Sequence, residues 1–319
     1  MAISDKTEND SETSPATKTN EHPGRRGLIA GAAAGAAVFG LTRLIPGADG
    51  GAGASGAGSS TDKEPLVDKW RRTKEANLGW EFSTPLMQFR NSAGEPDGFS
   101  VEMVKLMMSD LDKDIKINFT EMPFAQLVPA LVSGKVEMLE PVTNLPARAN
   151  EGLFADIPAN YAPIYALRKP GSTLETDEAL NDPAVKIAVI QGSSQASIGA
   201  QRYPKATFVA LADATVAIAE VASGRADVTL ASIFNVMNGL RNNPGLTVLP
   251  GEPLYVDVNT FLLPQGDYKT HLWVSNWLRH HAGRGTIAAL WNKWVGDALR
   301  SEFKLPVVSV GPGGALIDV

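Results

Sequence analysis

Thr143 and Arg148 lie in the polar stretch after a short apolar strand (Val136, Met138, Leu139). A hydroxyl and a guanidinium released at a strand end are a common way to build an anion site. The planar fork of arginine suits it, donating two parallel bonds to a carboxylate. An exposed loop cation making a weak surface pair is the plain alternative for Arg148. A second candidate is Gln191-Gly192-Ser193-Ser194-Gln195, which follows the continuous apolar run Val185 to Ile190. If a helix begins there, Ser193 and Ser194 offer hydroxyls and backbone N–H groups at its N-terminus, where anions are favoured. An ordinary N-cap serine accounts for the same turn. Paired with Arg148, the two segments would form two halves of one carboxylate site. Glu140, on or just past the strand with Glu137, is the one carboxylate placed to be a buried acid touching ligand.

Other chemistry finds little support. The histidines are His22, His271, His280 and His281, and adjacent His280 and His281 point to different faces of a helix, so no metal set is expected. There is no G-x-S-x-G elbow and no phosphate loop. The absence of cysteine excludes disulfides, thiol catalysis and a lipid-modified cysteine anchor. A net charge of −6 argues against nucleic acid as partner. No catalytic residue, metal or cofactor is assigned.

The elements that must position these residues come in two similar halves. In the first, Trp80 to Phe89 is extended, Asn91 to Gly94 turns, and Val101, Val104, Met108 and Leu111 recur at helical spacing before a strand, Ile115 to Phe119. A helix from Phe124 (Leu127, Val128, Leu131) stops at Ser133-Gly134-Lys135 and leads into the Val136 strand. In the second half, an apolar helix from Ala214 to Val221 stops at Ser223-Gly224-Arg225, and a strand (Val228, Leu230) leads to Ser232. Ser-Gly-cation is a natural helix C-cap. That explains each helix end, but not why both strands then run into polar positions. Two α/β lobes with sites at strand carboxyl ends fit the repeat. Leu153 to Tyr165 reads as a path between lobes, Leu254 to Pro264 as a strand, and Leu272 to Leu278 and Ile287 to Trp294 as helices packed by tryptophans. No role is assigned to the Gly/Pro-rich tail from Phe303. At 319 residues and 44% apolar content the chain can bury a large core.

The folded part is expected to begin near Leu66. Residues 1–22 are polar and charged; Arg25-Arg26 then precede a weakly apolar run rich in Gly and Ala, ending near Leu41. That run is too short and too weakly apolar for a membrane span, and with Arg43 it resembles a twin-arginine export signal. Residues 1–60 are therefore expected to be signal and linker, with Ala52-Gly53-Ala54 one cleavage candidate, an uncleaved anchor the alternative, and the periplasm the destination.

From about Gly79 to Val295 the chain resembles the extracytoplasmic solute-binding proteins of polar amino-acid ABC transporters, family 3. The resemblance is carried in order by Pro85 to Phe89, Gly94, Gly98 to Glu102, Phe124 to Val136, Thr143 to Arg148, Phe154 to Asp156, Gln191 to Gln195, Gly224 to Ser232, and Trp291 to Trp294. It implies a two-lobed periplasmic-binding-protein (venus-flytrap) fold, two α/β domains joined by a two-segment hinge near Tyr165 and Val256. Lobe 1 would be 66–164 plus 257–319, and lobe 2 would be 165–256. Carried over residue by residue, Arg148 would clamp a ligand carboxylate with Thr143 and with Ser194 from the second lobe. Phe124 would pack on the ligand, and Glu81 and Thr84 would select its side chain. The implied function is capture of a small carboxylate-bearing solute, an amino acid or related organic acid, by a monomer serving an ABC permease. A dehydratase on the same fold with Glu140 as general acid, or a ligand-presenting sensor component, are the alternatives. The chain departs from the family pattern at Leu145, at Glu140-Pro141-Val142, and at Ser232, where the family usually has an aspartate for the ligand ammonium. Either Glu140 supplies that charge or the ligand lacks an amino group.

Overall fold

The computed structural model describes residues 63–303 and 307–318. The expected signal and linker therefore lie outside the described residues. Among the described residues, no helix is long and apolar enough to cross a membrane.

Two long strands, β8 (Asn160–Arg168) and β13 (Tyr255–Pro264), run antiparallel through the middle of the molecule and carry the sheet from one lobe to the other. On one side stand β1 (Glu75–Trp80), β5 (Lys116–Glu121), β6 (Met138–Thr143) and β7 (Gly152–Phe154). On the other stand β9 (Lys186–Ile190), β10 (Thr207–Leu211), β11 (Val228–Ser232) and β12 (Thr247–Val248). The order is β10-β9-β11-β8-β13-β6-β1-β5, with β12 beside β8 and β7 beside β13. Within each lobe the β1/β5, β1/β6, β9/β10 and β9/β11 pairs are parallel, and pairs to the crossing strands are antiparallel. Short strands β2 (Ser83–Thr84), β3 (Gln88–Arg90) and β4 (Pro96–Asp97) form a separate sheet over the cleft side of the first lobe.

Helices join the parallel strands within each lobe. In the first lobe α2 (Phe99–Leu111) and α3 (Leu127–Val132) do so, with α1 (Leu66–Thr73) ahead of β1 and α4 (Pro146–Ala149) after β6; in the second, α5 (Ser194–Arg202) and α6 (Ala214–Ala222) do so, with α7 (Ile233–Asn242) after β11. After β13 the chain returns to the first lobe, where α8 (Tyr268–Gly283) and α9 (Thr286–Trp291) pack on α1 and α2. The tryptophans expected in the core are there: Trp291 is buried edge-on between Phe99 and Phe234, and Trp277 is buried with its indole N–H on Asp110. The tail forms a hairpin of β14 (Val308–Val310) and β15 (Leu316–Asp318), and the Tyr161 hydroxyl donates to the Gly314 carbonyl in the intervening turn. That tail therefore braces a crossing strand.

Three local expectations shift. Phe124–Gln126 is a 3-10 turn and α3 starts only at Leu127. Pro129 thus falls in the first helical turn, where its missing N–H costs nothing. Strand β6 runs on through Glu140-Pro141-Val142 to Thr143, so Glu140 is inside the strand and Thr143 is its last residue rather than part of a turn. Strand β8 already begins at Asn160, inside the stretch Leu153 to Tyr165 that was read as a path between lobes.

Glu137, just before β6, ties the first lobe together. Its carboxylate accepts from the Trp70 indole at 2.8 Å, from the Asn77 backbone N–H at 2.9 Å and from the Lys69 ammonium, and the residue is 7% exposed. Replacing it with alanine would strand a buried indole and a backbone amide together. Glu137→Ala is expected to lower unfolding free energy by about 2–4 kcal/mol in urea denaturation. A loss within experimental error would show that this carboxylate is not the tie.

Candidate functional site

Between the lobes lies a cleft of about 880 Å³, its open mouth included. The loop after β1 and the end of β6 line it from the first lobe, the turn into α5 and the start of α7 from the second, and β8 and β13 form its floor. Of the residues expected at the site, Glu81, Thr84, Phe124, Glu140, Thr143, Ser193, Ser194 and Ser232 all line this cleft.

Arg148 was expected in the same place and stands beside the cleft instead. It lines a neighbouring hollow that shares Phe124 and Val142 with the main one. The reason is its hydrogen bonding. One terminal nitrogen donates to the Thr143 carbonyl and the other to the Gly192 carbonyl, each at 2.9 Å, and the guanidinium sits 5.3 Å from the Phe124 ring centroid. The arginine is 8% exposed, and burial pulls its pKa down to about 10 while Asp257 opposes the shift. Gly192 makes the second bond possible. Its φ of +75° is left-handed, and a Cβ there would come within 3.3 Å of the Ala125 backbone. Arg148 thus staples the first lobe to the second through backbone carbonyls.

Ser193 is the N-cap of α5, accepting from the Ala196 N–H at 3.2 Å, so the plain reading of that serine holds in the structure. Ser194 does something else. Its hydroxyl donates to Asp257 Oδ2, which also accepts from Thr143 Oγ1 at 3.2 Å and Gln195 Nε2 at 3.3 Å. Thr143 and Ser194, placed by sequence around a ligand anion, are gathered here around the protein's own carboxylate. Asp257 is on β13, 4% exposed, and lines the cleft. Burial raises its pKa above the ordinary carboxylate value, against the pull of the two hydroxyls and Arg148.

Two more carboxylates share the cavity. Glu140 is 1% exposed and accepts from the Glu81 backbone N–H at 2.9 Å. Burial holds its pKa well above the ordinary value of 4.5, and the Glu81 charge adds to the shift. Burial raises Glu81 too, partly offset by bonds from Ser83. Asn160 and Asn259, paired at 2.8 Å across the crossing strands, line the floor, and Asn235 on α7 lines the second-lobe wall with its Oδ1 buried and unpartnered. Among the described residues no lysine, arginine or histidine lines the cleft. Among the described residues no cluster of acids or histidines could hold a metal ion.

Sequence reasoning missed Asp257, Asn235, Asn160 and Asn259. For Asp257 a signal was present: Val256 and Val258 are 43% and 37% exposed while the aspartate between them is buried. A strand with apolar residues facing water and an acid facing inward is inverted, which marks a polar interior surface.

A family described as bacterial extracellular solute-binding proteins, family 3, matches residues 77–297. Among solved structures, an ancestral amino acid-binding protein, a precursor of cyclohexadienyl dehydratase, aligns at 25% identity and a TM-score of 0.65 over 72% of this chain and 99% of its own. The cysteine-binding protein of Campylobacter jejuni aligns at 17% identity and a TM-score of 0.68, covering 80% of this chain and 100% of its own. A putative binding component of an ABC transporter from Wolinella succinogenes, complexed with lysine, aligns at 20% identity and a TM-score of 0.63, over 69% and 95%. No curated protein sequence matches. The two-lobed fold is common to these neighbours.

The raised pKa of Glu140 fixes the sign of one pH effect. The folded state holds this proton more tightly than the unfolded state. The corresponding stability is present below the ordinary value of 4.5 and is lost as pH rises through the folded value. Glu140→Gln is neutral throughout and still accepts from Glu81. It is expected to melt above the wild type at pH 8, with a smaller difference at pH 4, by thermal denaturation. Parallel curves from pH 4 to 8 would show that Glu140 carries no such penalty.

Proposed function

The chain belongs to the bacterial extracellular solute-binding proteins of family 3, and from that premise we propose that it captures a small carboxylate-bearing solute, an amino acid or related organic acid. In this reading it works as a monomer in the periplasm, after export through the twin-arginine-type signal, and hands the solute to an ABC-transporter permease. The observation that carries the reading is the cleft itself, walled by polar side chains from both lobes and floored by the strands that join them. Lobe 1 is 66–164 with 257–319 and lobe 2 is 165–256. The crossing strands act as the hinge, and a solute that contacts both walls favours the closed arrangement by its differential affinity for that state.

Within this scheme Thr143 and Ser194 receive the ligand carboxylate, and Arg148, behind Phe124, supplies the positive potential and holds the lobes shut. Glu81 and Thr84 meet the far end of the ligand. The cleft-lining relatives named above bind amino acids, which supports the solute class.

A second reading rests on Glu140. A carboxyl at a cleft wall whose proton is held more tightly by full burial is the kind of group that a general acid for an elimination needs. The similarity to a precursor of cyclohexadienyl dehydratase points the same way. No second catalytic group stands beside it in a matching role, so binding is the stronger reading; turnover of prephenate by the purified protein would favour the enzyme.

Arg148→Ala is expected to weaken solute-induced thermal stabilisation about 100-fold in ligand concentration, and Arg148→Lys to recover little, because a lysine cannot bridge two carbonyls with a planar fork. Both variants should also melt somewhat lower without ligand, since two carbonyls lose their donors. A thermal-shift titration with the common amino acids reads this out. An unaltered ligand response would remove Arg148 from the capture mechanism.

A further inference from the structure

The proposed solute leaves open whether it carries an amino group, and the bonding of Asp257 bears on that. All three donors to this aspartate fall on Oδ2, and Oδ1 accepts none of them. The residue is 4% exposed and lines the cleft, so its second oxygen faces the space a ligand would fill. A second acceptor in the same cavity is also without a donor: Asn235 is 5% exposed and its Oδ1 is buried with no partner. A buried acceptor left in the state of Asn235 Oδ1 is uncommon, and a ligand that brings N–H groups would satisfy it and could also meet Asp257 Oδ1.

We propose that Asp257 is the ammonium-binding residue of this cleft, with Asn235 as a further acceptor, and that the ligand is therefore an α-amino acid rather than an amine-free acid. The proposal rests on the solute-capture reading above and names which of its two solute classes the site takes. It places the counter-charge on the crossing strand β13, where neither Ser232 nor Glu140 would supply it.

The stoichiometry of protons on Thr143 and Ser194 makes the two ends of such a ligand interdependent. A hydroxyl has one proton to donate. In the ligand-free arrangement both hydroxyls spend theirs on Asp257. A ligand carboxylate that recruits either hydroxyl takes it from Asp257, whose charge is then buried with fewer donors and a new anion beside it. An ammonium on the same ligand replaces what was taken. An amine-free acid takes the donors and returns nothing, in a cavity that already holds Glu81 and Glu140 and is lined by no cation. A zwitterion exchanges bonds with the site; a plain anion only removes them.

The test uses the common L-amino acids, each against the acid in which the α-ammonium is replaced by hydrogen or by a carbonyl oxygen. Affinities are measured by calorimetry on the wild type and on Asp257→Asn. The wild type is expected to bind the amino member at least about 100-fold more tightly than its counterpart, the usual scale for leaving one partner of a buried charge pair unmatched. Asp257→Asn is isosteric, and its carbonyl oxygen still accepts from Ser194 and Thr143, so it should fold, as circular dichroism will report. It is expected to lose most of that preference, binding the amino members more weakly than the wild type does and the amine-free members no more weakly. Equal binding of an amine-free acid by the wild type overturns the proposal and leaves solute capture standing, a result that needs no variant. An undiminished preference in Asp257→Asn overturns the assignment to Asp257. Absence of binding by every member of the panel overturns the capture reading and this one with it.

Discussion

A carboxylate carried on a strand that passes between two lobes must find its donors in both. Asp257 is in that position, and much of the cleft is arranged around its needs. Thr143 reaches it from the end of β6 and Ser194 and Gln195 reach it from the first turn of α5, so one side chain connects the two walls and the floor. Arg148 makes a parallel link through backbone carbonyls of Thr143 and Gly192. These two links share Thr143: its hydroxyl serves the aspartate and its carbonyl serves the arginine. These polar, exchangeable bonds stand beside an apolar contact between the lobes, Trp291 against Phe234, and unlike it they offer a solute something to replace.

The charge content of the cleft follows the same logic. Glu81, Glu140 and Asp257 are all driven toward their neutral forms by burial, and the Glu81 charge adds to the shift of Glu140. Desolvation is the first cause in each case, so the shifts reflect burial rather than any single neighbour.

The elements of the fold were legible in the sequence wherever the local pattern decides the outcome. The continuous apolar run Val185 to Ile190 became β9, buried as a parallel strand should be, and the two helix–Ser-Gly-cation–strand units became corresponding parts of the two lobes. The Ser193 cap could be read from a Gly-Ser-Ser turn because capping is a local bond. The position of Glu140 inside β6 was less clear, since a proline at 141 argues against a strand interior. Asp257 was missed for a different reason. Its partners lie 63 and 114 residues away in sequence, and only the crossing of β8 and β13 brings them together. The same distance hid the occupation of the Arg148 fork by Gly192. Residue types that bind anions were correctly located, but nothing local revealed that the first anion they meet is the protein's own.

The return of the chain to the first lobe also bears on when that lobe can form. Helix α1 opens the described chain, yet the backbone amides of Leu66 and Val67 are capped by the Asp267 carboxylate and the Thr270 hydroxyl, about two hundred residues later, and Lys269 pairs with Asp68. The middle of the same sheet is β13, also from the late segment. A nascent chain that ends before β13 has its first helix uncapped, β6 without its antiparallel neighbour, and the core under α2 without Trp277 and Trp291. The strands β9 to β12 and helices α5 to α7 come from one continuous segment and have no such dependence on late residues. Assembly should therefore run from the middle of the sequence outward, with the first lobe completing only once β13, α8 and α9 have been made, at the slow rate that such long-range closure imposes.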